Sequence, residues 1–222
     1  MKKKTHWTWR VWLILPLFAL LSLMIGGKAR AAVDEATLQG LASTDFSVRI
    51  NAIEAVGASG GDAARRLIAA LEAGQLGVAD GRVVLLQDTA VVDAASGAVL
   101  DIDAAGVDTL RLNNRVRRAL ATANAALDLE SGARAVRLAA AQTLRDNASE
   151  TVLAVLERAL DTEPDDSIRE IILQAAARVN LAAPEAAKRL KAVSALGQSA
   201  DAAVITLLSP FVEQDNGVWR EP

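Results

Sequence analysis

Between Val116 and Trp219 the pattern of apolar and polar positions is written twice, 52 residues apart. Arg117, Ala123, Ala125 and Leu129 match Arg169, Ala175, Ala177 and Leu181. Arg137, Leu138, Ala140, Leu144 and Val152 match Arg189, Leu190, Ala192, Leu196 and Val204. Within each copy the apolar residues recur at helical spacing. One stripe runs through Leu112, Val116, Ala119, Leu120, Ala123 and Leu127, and Val136, Ala140, Ala141 and Leu144 form the next. A third holds Val152, Val155, Leu156, Ala159 and Leu160, and a fourth holds Ile168, Ile171, Ile172, Ala175, Ala176 and Val179. A helix with one apolar stripe must bury it against a neighbour, and self-similarity at this period marks stacked helical units. Each unit reads as three helices. Asn113 or Asn114, Ser149, and Asp165 with Asp166 supply helix starts. Pro184 opens a helix and Gly197 closes it, while Pro210 ends or kinks the last one.

Ahead of the two units, Val48, Ala52, Ile53 and Val56 predict one helix and Ala64, Leu67, Ile68 and Leu71 another, separated at Gly57 to Gly61. This pair aligns with residues 136–161 at a shift of 88, as the last two helices of a unit. From about residue 74 to 109 the period changes. Val83 to Leu86, Ala90 to Val92 and Ala98 to Leu100 are short β-type runs, and Asp93 to Gly97 is turn material. The expectation is a mainly α, HEAT/armadillo-like α-solenoid over residues 32–222, interrupted by a small β-hairpin or three-stranded flap. A large insertion on a regular scaffold is a common place for specific contacts. A third unit would begin at Arg220, so the pattern is expected to continue past Pro222.

Composition changes this picture at the N-terminus. Lys2, Lys3 and Lys4 precede an apolar run from Val11 to Ile25, followed by Ala29-Arg30-Ala31. That order reads as a secretory signal over residues 1–31, with an uncleaved signal anchor as the alternative. Either way the body is expected to be exported, to the periplasm or the periplasmic face of the inner membrane. Six of the basic residues lie before Ala32, and no acid does; the rest of the chain has 18 basic against 27 acidic residues. An acidic body excludes nucleic acid as the natural partner. After residue 31 the aromatics are Phe46, Phe211 and Trp219, so the core is built from Ala, Leu, Val and Ile.

The residues needed for most active sites are missing from the body. There is no cysteine, and the one histidine is His6. Ser-His and Cys-His nucleophiles and the usual zinc sites are therefore not expected, and neither is a cofactor. Asp101 and Asp103 match only part of a calcium loop. Glu163, Asp165 and Asp166 could hold a cation, but helix-start acids account for them more simply. Gly57 to Gly61 lacks the lysine of a phosphate loop. The body thus reads as a non-catalytic scaffold. Its candidate contact residues are Arg82 in the flap and Arg111, Asn113, Asn114, Arg115 and Arg118 just after it. Arginines at this density suit an acidic partner or a carboxylate. Arg117 reads differently, as a scaffold residue making the same hydrogen bonds within the repeat as Arg49, Arg137 and Arg169.

Several of these stretches resemble the N-terminal exported region of bacterial urea ABC-transporter permease subunits. They are Asp80-Gly81-Arg82-Val83-Val84, Ala95-Ser96-Gly97, Leu112 through Leu120 with its Asn113-Asn114-Arg115-Val116-Arg117-Arg118, the opening Leu41 to Phe46, and the Val-Arg helix starts. The resemblance covers essentially the whole chain. It implies a HEAT-like region that precedes a transmembrane permease, with permease and solute-binding protein as partners. The translocation pathway of that family lies in the transmembrane part, so no transport residue carries over and any membrane contact runs through the signal segment or that missing part. The alternative is a free-standing periplasmic HEAT-like adaptor.

Overall fold

The computed structural model describes residues 33–197 except Thr89, together with 204–205, 208–209, 213–215 and 218–220. The expected signal over residues 1–31 and the stop at Pro210 lie outside the described residues. The fold is mainly helical with a small antiparallel sheet. The helices are α1 (Glu35–Ala42), α2 (Phe46–Ser59), α3 (Gly61–Glu72), α4 (Asn114–Asp128), α5 (Arg134–Asn147), α6 (Leu153–Thr162), α7 (Asp166–Leu181) and α8 (Ala186–Leu196). No described helix is long and apolar enough to cross a membrane.

The strands are β1 (Leu76–Ala79), β2 (Arg82–Gln87), β3 (Ala90–Asp93), β4 (Val99–Leu100) and β5 (Asp108–Thr109), in sheet order β4-β3-β2-β1-β5. The expected flap is therefore a five-stranded sheet. The two additional strands are β1, which sits between β2 and β5, and β5, which forms one edge. The Gly77 of β1 hides a strand pattern, and β5 is two residues long. The β1–β2 turn is Asp80-Gly81 with φ of 49° and 73°, the left-handed pair a tight hairpin requires. β2 is apolar on both faces. Val83 and Leu85 face the helices, while Val84 and Leu86 join Val91, Leu100, Ile102 and Val107 in a small core under the 101–107 loop. The loop lies flat there because Gly77 has no side chain: a Cβ at that position would meet Val107 Cγ1 at 2.4 Å.

The main core runs in three clusters along the chain. The first gathers α1, α2, α3, β1, β2 and one side of α4, through Val116, Ala119, Leu120, Ala123 and Leu127. The other side of α4, Ala125 and Ala126, with Leu129 just past its end, belongs to the second cluster with α5, α6 and α7. α7 is shared in the same way. Ile168, Ile172, Ala175 and Ala176 close the second cluster, and Ala177 and Leu181 open the third with α8 and Val204. Where the two clusters meet within one helix the residues are small: Ala123, Ala125 and Ala126 in α4, and Ala175, Ala176 and Ala177 in α7.

The 52-residue spacing is visible in the local chemistry. Asn113 caps α4 and Asp165 caps α7, each accepting backbone N–H groups of the first turn. Arg137 Nη1 donates to Ser131 O at 3.0 Å and Gly132 O at 3.2 Å, and Arg189 Nη1 donates to Ala183 O at 3.0 Å and Pro184 O at 2.7 Å. Arg49 and Arg169 clasp the carbonyls of Ser43 and Glu163, again six residues back. Arg117 departs from the expected scaffold role: its Nη1 donates to Asn114 Oδ1 at 3.3 Å instead.

Several details differ from the sequence reading. A helix, α1, precedes the expected pair. α2 continues through Gly57 and ends at Gly60, because Gly57 is the point where α4 crosses closest. Val48 and Val136, read as core, are 46% and 37% exposed, whereas Val116 and Ile168 are buried. Ser149 stands at the N-cap position of a 3-10 turn, Glu150–Val152, that leads into α6, but its side chain makes no capping bond; its hydroxyl donates to Glu54 instead. Pro184 stands two residues before α8, whose N-cap is Glu185. Residues 213–215 and 218–220 pair as a two-stranded hairpin, where the preceding unit has only the loop from Asp161 to Ser167.

Candidate functional site

The arginines after the sheet are presented by two successive periodicities. Leu110 is buried and its N–H bonds Leu76 O at 3.0 Å, ending the sheet; Leu112 packs half-buried on the first core cluster. Extended backbone alternates sides, so Arg111 between them points to solvent. Asn113 Oδ1 then accepts from the N–H groups of Arg115 at 2.9 Å and Val116 at 3.0 Å and starts α4. With Val116, Ala119, Leu120 and Ala123 facing inward, helical spacing leaves Arg115 and Arg118 outside.

Arg111, Arg115 and Arg118 are exposed, and among the described residues none of their side chains makes a hydrogen bond or an ion pair. The first turns of α1, α3 and α7 carry Glu35, Asp62 and Asp166, but that of α4 carries no acid. Cations at a helix N-terminus are opposed by the helix dipole, by about 0.3–1 kcal/mol each. The three arginines and the end of α4 therefore form a patch of one sign with no internal compensation.

Asn113 and Asn114 are brought to the same place, but both side chains are engaged, one as the cap and one accepting from Arg117. Arg82 is not part of the patch. It sits next to the β1–β2 turn, opposite Ala79, whereas Arg111 follows the residue bonded to Leu76. The two ends of β1 lie roughly 10 Å apart. Arg82 instead lines a cleft of about 530 Å³ between α1 and the sheet, with Glu35, Gln39 and Asp93. Glu35 and Asp93 were not legible as site residues, since no helix is expected around Glu35 and Asp93 reads as a turn residue.

The chain matches no protein-family model and no curated protein sequence.

The acids considered as cation ligands are held by arginines. Glu163 is buried. Its Oε2 accepts from Arg137 Nε at 2.8 Å and its Oε1 from Arg137 Nη2 at 3.1 Å, a paired contact that holds the carboxyl below its usual range and raises the guanidinium. Asp165 accepts from Arg134 Nε at 2.7 Å and from Ser167, and these bonds hold it well below its usual range. Asp166 pairs with Arg169. Asp103 Oδ1 accepts from Ala105 N–H at 3.0 Å and so caps a single 3-10 turn. Among the described residues no group of three or more acids or histidines is arranged to hold a metal. Glu54 is the exception to the paired pattern: burial pushes it above the usual glutamate range, and the Ser149 hydroxyl offsets part of that.

Proposed function

We propose that residues 32–222 form a HEAT-like α-solenoid that serves as a non-catalytic docking module of a urea-type ABC transporter permease subunit, on the periplasmic side of the membrane. The repeat reading is supported by the matched caps at Asn113 and Asp165 and the matched arginine clasps at Arg137 and Arg189, each 52 residues apart. The docking reading is carried by one observation, the uncompensated patch of Arg111, Arg115 and Arg118 beside the sheet. Such a patch fits an acidic surface on a transporter component, with the solute-binding protein as the partner of choice. Rim charges of this kind steer association and make it salt-dependent.

The test is co-purification of the full chain with the solute-binding protein and permease of a urea-type transporter. Association is expected at about 0.1 M salt and should weaken toward 1 M, as the screening length falls from about 10 to 3 Å. The double variant Arg115→Glu, Arg118→Glu should abolish it. Absence of association with any transporter component would sink the docking reading.

A further inference from the structure

The cleft between α1 and the sheet carries charges of both signs that, among the described residues, form no hydrogen bond or ion pair with one another. Arg82 is exposed on its wall and, among the described residues, makes neither a hydrogen bond nor an ion pair. Asp93 is only 8% exposed, yet all three hydrogen bonds its carboxylate receives fall on Oδ1, from Ala95 N–H at 3.1 Å, Ser96 N–H at 2.7 Å and Ser96 Oγ at 2.7 Å. Among the described residues Oδ2 receives no hydrogen bond, and it is not enclosed: the buried side-chain polar atom left unpaired among them is Arg49 Nε. Oδ2 is thus a solvent-reached acceptor in a cleft that Asp93 lines, free to take a donor that enters it. Glu35, exposed at the mouth, receives only a 3.3 Å contact from Gln39 Nε2. Leu38 and Val83 form apolar floor.

We propose that this cleft binds a small zwitterion bearing an ammonium and a carboxylate, of the free amino-acid class. The ammonium would sit between Asp93 Oδ2 and Glu35, and the carboxylate would take the Arg82 fork in paired geometry. The arrangement selects for both charges. An anion alone would meet two carboxylates, and a cation alone would leave a guanidinium unpaired. The volume of about 530 Å³ is within the range of small-molecule sites, which bracket roughly 300–1,000 Å³. Asp93 is fixed before any ligand arrives. The Asp93 to Gly97 turn locks its Oδ1, and these bonds, together with the nearby Arg82 charge, hold it ionised below the usual aspartate range.

This inference does not rest on the docking role, because the cleft and the Arg111 patch lie at opposite ends of β1. It is tested by calorimetric titration of the full-length chain in mild detergent with glycine, L-alanine, L-glutamate and L-lysine, and with acetate and methylammonium as single-charge controls. Saturable binding of at least one amino acid below about 10 mM is expected, with the controls weaker by about tenfold or more. Arg82→Gln and Glu35→Gln, both changes to exposed side chains, should each weaken it by about tenfold, with the helical circular dichroism unchanged. Asp93→Asn is avoided because it disturbs the turn. The double variant Arg115→Glu, Arg118→Glu should leave amino-acid binding intact while removing transporter association. Three results would overturn the proposal: no saturable binding of any amino acid, affinity unaffected by Arg82→Gln, or acetate binding as tightly as the amino acids, which would make this an anion site.

Discussion

Gly57 is the tightest point between α2 and α4, and replacing it with alanine sets two effects of opposite sign against each other. In a helix interior alanine is favoured over glycine by about 1 kcal/mol. A Cβ at Gly57, however, would stand 2.5 Å from Ala123 Cα, 2.6 Å from Ala123 O and 2.7 Å from Ala123 Cβ. Non-bonded carbons rest at about 3.5–4.0 Å, so the helices must part by about 1 Å. The obstacle is backbone, which cannot rotate aside. Separation also loosens Ile53, Val56, Ala123 and Leu127, all at most 2% exposed. Overpacking of this kind costs about 1–3 kcal/mol, and the loss of contact along the seam adds to it, so the clash wins. Gly57→Ala should lower stability by about 2 kcal/mol, equivalent to a Tm drop of about 4–8 °C for a body of this size. Thermal and urea unfolding followed by circular dichroism would read this. Gly132→Ala, where a Cβ meets nothing within 4 Å, is the control and should change little. Adding Ala123→Gly to Gly57→Ala should rescue only in part, since the Cα and carbonyl oxygen remain in the way. A stabilised Gly57→Ala would refute the close crossing.

Other predictions are read from the same melts. Glu54 is raised by burial, so its charge opposes folding at neutral pH and that penalty fades as the pH falls through its raised value. Glu54→Gln should therefore raise Tm at pH 7, and the advantage should disappear below the ordinary glutamate range. Glu163 has the opposite sign: its lowered value contributes stability that is fully present above the ordinary glutamate range and lost as pH falls through its folded value. Glu163→Gln should lower Tm at pH 7 more than Asp128→Asn, which breaks the solvent-exposed pair with Arg65, and should flatten the acid limb of the stability profile. Asn113→Ala removes the cap of α4 and should cost about 0.5–2 kcal/mol.

Repetition made much of the helical body legible. The pairs Leu144 with Leu196 and Ala140 with Ala192 are buried alike in the two copies, and burial is what their spacing encoded. Single-sequence periodicity was weaker where two elements share one residue. Gly57 reads as a breaker because glycine lowers helix propensity; only the nearness of Ala123, 66 positions away, explains why it stays helical. Ser149 has the right type for a cap, but Glu54 offers a charged acceptor from a distant helix. Of the sheet, β5 was missed because a two-residue strand carries no period, and β1 because Gly77 interrupts its pattern. Among the candidate contacts, local pattern found Arg111, Arg115 and Arg118, which lie on one continuous segment. It also grouped them with Arg82, which strand register separates from them, and it had no means of bringing Arg82 toward Glu35 and Asp93.

The double membership of α4 and α7 also fixes the order of the units. Asn113 and Asp165 play the same capping part, so removing 52 residues between them would leave a helix start intact. The faces behind those caps are not interchangeable. Where α4 offers Val116, Ala119 and Leu120 to the first cluster, α7 offers Ile168, Ile171 and Ile172. Isoleucine in the place of Ala119 would add volume to a seam already closed at 2% exposure. The joints are keyed, so a shortened or shuffled chain would keep its helices and lose its fit.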